Sequence, residues 1–153
     1  MSRGSGGGRP YLLDTNILVH YVRQTTCGAA VENNYRLSAG PVVPAICIVT
    51  RGEAMSLATQ WSWGAGKRAH LDALIGHFSE IDISAAGVVD AYAELDAWSK
   101  SVGRQMGKND LWIAAVAKVG LLTLLTTDGD FDHLHRHHIT RILLDPNTGA
   151  VKP

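Results

Sequence analysis

Cysteine is scarce in this chain: of its 153 residues only Cys27 and Cys47 carry thiols. Two cysteines without metal-type spacing argue against a disulfide framework or a thiolate zinc site. They read as buried, reduced thiols of a cytosolic protein. An excess of charge of one sign is also missing. Lys and Arg number 14, Asp and Glu number 14, and the sequence pI is near 7.1. No global basic field therefore advertises nucleic acid, although a local basic patch is enough to contact phosphates. No apolar run reaches the roughly 18 residues of a membrane span. Residues 1–10, Met1 to Pro10, lack the apolar centre of a signal peptide and read as a flexible tail. Residues 11–153 read as a single domain, long enough for one core and free of repeats and linkers. A hydrophobic content of 46% with 18% charged residues is that of a globular chain, not a disordered one.

Periodicity and chain breakers outline alternating strands and helices. A strand at 11–13 leads into a helix at 15–23, and a second short helix spans 29–38. Gly40-Pro41 breaks the chain before a β run at 42–46, which Pro44 marks as brief or at an edge. Helices follow at 48–61 and, past Gly64-Ala65-Gly66, at 67–78. Next come a strand at 80–83, a helix at 85–101 capped by Ser84, and a polar loop to Lys108. An apolar helix at 110–119 is closed by Gly120. Leu121 to Thr126 lacks polar alternation, as a central parallel strand does. An Asp-Gly-Asp turn and a last strand at 141–144 complete the chain. The alternation predicts an α/β three-layer sandwich, its mostly parallel central sheet flanked by helices.

In such a fold a helix that feeds a parallel strand starts at the carboxyl edge of the sheet. Asp14 and Asp128 follow strands, Asp110 opens the helix before strand 121–126, and Glu53 lies near the start of the helix after strand 42–46. All four come to the edge where open α/β sheets bind ligands. Each has a bland explanation. Asp14 and Asp110 cap helices, Thr50-Arg51-Gly52-Glu53 matches a capping box, and Asp128-Gly129 fits a turn. Four like charges around one cleft are another matter, because their repulsion needs protonation, basic partners or a cation. Oxygen donors without His or Cys suit Mg²⁺ or Mn²⁺, ions that activate water and stabilise in-line phosphoryl displacement.

Four segments carry a likeness to a known family. They are Leu12-Leu13-Asp14-Thr15-Asn16, Thr50-x-x-Glu53, Asn109-Asp110-Leu111-Trp112-Ile113-Ala114-Ala115, and Leu125-Thr126-Thr127-Asp128-Gly129-Asp130-Phe131. In that order, with acids 39, 57 and 18 residues apart, they resemble the PIN domain, and within it the VapC-type toxins of type II toxin–antitoxin pairs. The match runs from about residue 11 to 144. The resemblance implies a cytoplasmic, Mg²⁺-dependent endoribonuclease that hydrolyses RNA phosphodiester bonds, is usually a homodimer, and is silenced by a cognate small antitoxin. By position, Asp14, Glu53, Asp110 and Asp128 are the catalytic and metal-binding quartet. Asp14 and Asp110 are expected to contact metal most directly, with Glu53 and Asp128 binding a second ion or holding its waters. Asn16 and Thr126 orient carboxylates, and Asp130 supports Asp128. Cys47, where relatives often have a small hydroxyl residue, and Gly52 depart from the pattern without touching the acids.

Arg104, Gln105 and Lys108 precede Asp110 and read either as RNA-phosphate contacts or as a solvated loop. Lys67 and Arg68 decorate a helix surface. His133, His135, His137 and His138 lack clean ligand spacing and read as a polar surface strip before a zinc site or an RNA contact. Trp61 and Trp63 are core residues or interface anchors, in the region that often grips the antitoxin in VapC-like proteins. Trp98 and Trp112 read as core. Two rivals stand beside the nuclease. One is a PIN-like module that binds RNA or a partner without cutting. The other is a haloacid-dehalogenase-like phosphatase, which needs a second Asp where this chain has Asn16.

Overall fold

The computed structural model describes residues 10–153, so the expected flexible tail, Pro10 apart, lies outside the described residues. In chain order the elements are β1 (Tyr11–Leu13), α1 (Thr15–Val22), α2 (Thr26–Tyr35), β2 (Ala45–Cys47), α3 (Ile48–Gln60), α4 (Ala65–His77) and β3 (Ser79–Ile81). Then come α5 (Val88–Ser101), α6 (Lys108–Gly120), β4 (Thr123–Thr126), a 3-10 segment (Gly129–Leu134), β5 (Thr140–Leu144) and β6 (Val151–Lys152). The strands form one sheet in the order β3-β2-β1-β4-β5-β6, parallel throughout except for β6, which runs antiparallel to β5. The expected three-layer α/β fold is present.

Side chains alternate across the short strands, and this alternation makes two cores. Leu12, Ala45, Cys47 and Leu124 face α5 and α6, meeting Leu95, Leu111, Ala115 and Phe131. Leu13, Ile46, Leu125 and Leu144 face α1 to α4, meeting Ile17, Leu18, Val31, Ala58 and Leu71. Both faces of the sheet are covered, which is why all four residues of β4 are buried, its end residues Thr123 and Thr126 included.

Several element boundaries differ from the sequence expectation, each for a local reason. β2 is brief but interior, between β1 and β3. Pro44 stands just before it, where the missing N–H breaks no ladder and its carbonyl accepts from Ser79 N at 3.0 Å. α2 starts early because Thr25 Oγ1 accepts from Gly28 N at 3.0 Å. α5 starts late, since Asp82 Oδ1 takes the Ser84 amide in a turn and Gly87, at φ +86°, makes the entry in place of a Ser84 cap. α3 begins at Ile48 as expected, which leaves Thr50 inside the helix, so Thr50 and Glu53 form no capping box; Glu53 bonds elsewhere, and the buried Thr50 hydroxyl has no partner among the described residues. α6 begins at Lys108, placing Asp110 within its first turn. Its left-handed end residue is Leu121, not Gly120. β6 had no counterpart in the expectation. Among the described residues, no helix is long and apolar enough to cross a membrane.

Candidate active site

β1 and β4 are neighbours, and Asp14 and Asp128 lie just past their carboxyl ends. The Asp14 amide donates to Leu125 O at 3.0 Å, which ties the end of β1 to β4. Asp14 is 4% exposed. Its Oδ1 accepts from Thr15 N at 2.8 Å and so caps α1, while Oδ2 accepts from Thr126 Oγ1 at 2.7 Å and Asn16 Nδ2 at 3.0 Å. One oxygen of this carboxylate therefore makes the expected helix cap, and the other is held by Thr126 and Asn16. The Thr126 hydroxyl also accepts from Asp128 N at 2.9 Å, and Asn16 Oδ1 accepts from Thr127 N at 3.0 Å. The expected orienting roles of Asn16 and Thr126 correspond to real contacts.

Glu53, from α3, reaches the same cleft. Its Oε1 accepts from Thr15 Oγ1 at 2.6 Å and its Oε2 from Asn109 Nδ2 at 3.1 Å. Thr15 and Asn109 as holders of Glu53 were not foreseen. Their adjacency to Asp14 and Asp110 was the only available signal, because nothing local pairs residue 15 or 109 with residue 53.

Asp110, Asp128 and Asp130 each offer a carboxylate oxygen within 4.8 Å of the others, close enough to share one ion. Asp14 and Glu53 stand outside this trio, and Asp130 is a full member of it. Asp128 Oδ1 also accepts from Asp130 N at 2.9 Å, which holds the turn. None of the four ion pairs among the described residues reaches any of these five acids. The strain shows in the protonation equilibria. Burial pushes Asp14 up to about 6, against the pull of its Thr126 and Thr15 hydrogen bonds and with help from the charges of Glu53 and Asp128. Asp110 rises to about 7, through burial first and then the negative charges of Asp14, Asp128, Asp130 and Glu53.

The acids open into a cleft of about 750 Å³ that continues along α3, past Val49, Glu53 and Leu57 to Trp61. Lys108 borders an adjoining recess of about 440 Å³ with Glu53 and Asp110. Arg104 is exposed and lines neither; its charge bears on His133, an imidazole that burial and then Arg104 hold below its usual range. The histidines make no metal group among the described residues. Three of them collar Trp98 instead: His133 stacks on it at 6.0 Å between centroids, and His137 and His138 lie at 5.5 and 4.6 Å, while His135 Nδ1 accepts from Arg141 N at 3.1 Å. His133 Nε2 also bonds Ser99 Oγ at 2.9 Å. Trp63 is buried, Trp98 and Trp112 are half-buried, and Trp61 is exposed on the cleft rim.

The PIN domain family model matches residues 11–136. Among solved structures, a VapBC2 complex from Rickettsia felis bound to a promoter DNA fragment shares 26% identity at a TM-score of 0.73, over 86% of this chain and 96% of that one. A toxin–antitoxin complex from Klebsiella pneumoniae shares 25% identity at a TM-score of 0.60, over 79% and 89%. VapBC-5 from Mycobacterium tuberculosis, at 22% identity and a TM-score of 0.63 over 90% and 100%, shares the fold. No curated protein matches the chain by sequence.

Proposed function

The chain belongs to the PIN domain family, and from that premise we propose that it is a metal-dependent endoribonuclease, the toxin of a VapBC-type toxin–antitoxin pair. The observation that carries the reading is the uncompensated trio Asp110, Asp128 and Asp130 beside buried Asp14 at the carboxyl edge of β1 and β4. The likeness to a VapBC2 complex and to a toxin–antitoxin complex supports a small antitoxin protein as partner.

The donor set fits a hard divalent cation, Mg²⁺ or Mn²⁺: every donor is a carboxylate oxygen, three lie within reach of one ion, and no Lys or Arg among the described residues pairs with them. Asp110, Asp128 and Asp130 would hold such an ion, which would supply Lewis-acid stabilisation to a phosphodiester under in-line attack by water. The residues of the chain do the positioning. Thr126 and Asn16 hold the Asp14 carboxylate toward the trio, and Thr126 fixes the Asp128 backbone. Glu53, clamped by Thr15 and Asn109, lines the same cleft beside Asp14 and Asp110. Lys108 meets a backbone phosphate of the strand. No side chain acts as a covalent nucleophile. A phosphatase of the haloacid dehalogenase type needs a free acid at residue 16, where Asn16 is instead hydrogen-bonded to Asp14.

A mixed RNA pool incubated with Mg²⁺ or Mn²⁺ is expected to be cut, and EDTA or Asp110→Asn to abolish the cutting. Cleavage that survives both would overturn the metal-dependent reading. A pure protein that cuts no RNA favours the binding module. Expression alone is expected to arrest growth, and co-expression of the product of an adjacent small gene to relieve it.

A further inference from the structure

Beside the acidic cleft, where α3 turns into α4 against the end of α1, two tryptophans in contact are each covered by a cation. The Arg23 guanidinium lies over the Trp61 ring at 5.4 Å from its centroid, Trp61 meets Trp63 at 5.8 Å, and Lys67 Nζ lies over Trp63 at 5.8 Å. Trp61 is 46% exposed and lines the same cleft as the acids. It caps the C-terminal end of α3 eight residues past Glu53, roughly 12 Å along the helix axis. Arg23 and Lys67, with His70, line a separate groove of about 530 Å³. Arg23 and Lys67 are exposed and enter no ion pair among the described residues.

The corner is rigid. Neighbouring Arg68 is committed to the backbone, donating to Trp63 O at 3.1 Å and Ala58 O at 3.3 Å, and Trp63 N donates to Ala58 O at 2.9 Å. A preorganised aromatic flanked by cations outside any ion pair is the surface a single strand of nucleic acid requires. Bases stack on the ring, phosphates meet the cations, and little ordering cost remains. It also answers a difficulty of the acidic cleft, which on its own repels the polyanion it is to cut.

Resting on the ribonuclease reading, we propose that the Arg23–Trp61–Lys67 ridge is a metal-independent subsite for single-stranded RNA, with Trp61 stacking a base and Arg23 and Lys67 binding phosphates of the strand that enters the cleft. The ridge then selects unpaired RNA, since a base inside a duplex cannot lie on Trp61.

The test is fluorescence anisotropy of a labelled 12-nucleotide single-stranded RNA with the full chain in EDTA, where the nuclease is silent. Trp61→Ala is expected to weaken binding roughly 5- to 100-fold, and Trp61→Phe to retain most of it. Arg23→Ala with Lys67→Ala is expected to flatten the log–log salt dependence by about 1.4, about 0.7 for each phosphate no longer neutralised. Duplex RNA of the same sequence is expected to bind more weakly. Wild-type protein that binds no single strand in EDTA, or variants that bind as wild type does, overturn the ridge. The second result would mean that a protein partner or solvent covers it. Cleavage in Mg²⁺ is scored separately: cutting without ridge dependence sinks only the subsite, and ridge binding without cutting sinks only the nuclease. Circular dichroism of each variant separates lost binding from lost fold.

Discussion

Thr126 does three things with one hydroxyl. It donates to Asp14 Oδ2, accepts from Asp128 N, and lies 3.4 Å from Asn16 Nδ2, all while fully buried. A residue that grips the Asp14 carboxylate and the Asp128 backbone fixes their separation, and with it where Asp128 stands beside Asp110 and Asp130. Thr126→Val keeps the volume and removes the bonds. It is expected to cost about 1–3 kcal/mol of stability from unsatisfied buried partners and to lower cleavage roughly 10- to 100-fold by loosening the acids. Thr126→Ser is expected to recover most of the rate. Urea melts and initial rates at saturating Mg²⁺ check both numbers, and wild-type cleavage by the valine variant would show that the hydroxyl positions nothing.

Packing between elements sets a different kind of constraint. Where α2 crosses the end of α1, a Cβ at Gly28 would lie 2.6 Å from the His20 carbonyl oxygen. That clash is with backbone and cannot be relieved by a rotamer change. Gly28→Ala is therefore expected to destabilise by about 1–3 kcal/mol. Gly52, within α3 and one residue before Glu53, has open space around its Cβ position, and Gly52→Ala is expected to stabilise by about 0.5–1 kcal/mol. Thermal melts of the two variants should move in opposite directions. Neither difference is visible in the sequence, which puts Gly28 just ahead of a helix at 29–38 and Gly52 inside one at 48–61. Periodicity found the helices and strands through β5, and topology put Asp14, Glu53, Asp110 and Asp128 at one edge, because those depend on short-range pattern and on strand direction. Where a helix begins depends on which side chain takes a free amide. Hence Thr25 moved the start of α2, and Asp82 with Gly87 moved that of α5. The Thr50–Glu53 spacing imitated a capping box, yet Glu53 found Thr15 and Asn109, partners 38 and 56 residues away that no local pattern shows. For the same reason the histidines read as a strip until Trp98, from another element, appeared at their centre.

For the molecule as a whole, the acidic cluster opposes folding whenever no cation is bound. The folded-state values of Asp14 and Asp110, about 6 and about 7, lie above the 3.8 of a free aspartate. Well below 3.8 both groups are protonated in the folded and unfolded chain alike, and nothing is lost. As pH rises through 4 to 7 the unfolded chain ionises first, so stability falls and the loss is complete above the folded values. His20, His133, His135 and His138 are held below their usual range, chiefly by burial, and act in the opposite sense, costing stability as pH falls. A melt of wild type alone therefore mixes two trends. The comparison with Asp110→Asn removes the histidine part, which both proteins share. Asn at residue 110 is the clean exchange, whereas Asn at residue 14 would face the three donors that the Asp14 carboxylate accepts from. In EDTA the Asp110→Asn variant is expected to melt near wild type at pH 4 and a few degrees higher at pH 7.5. About 1 kcal/mol moves a chain of this size by roughly 2–4 °C. Mg²⁺ should then raise the melting point of wild type at pH 7.5 and leave the variant nearly unmoved, because a cation that binds only the folded state stabilises by mass action. If Asp110→Asn instead lowers the pH 7.5 melting point in EDTA, the carboxylates are not in conflict. The need for a cation, on which the nuclease reading stands, would then lose its physical basis.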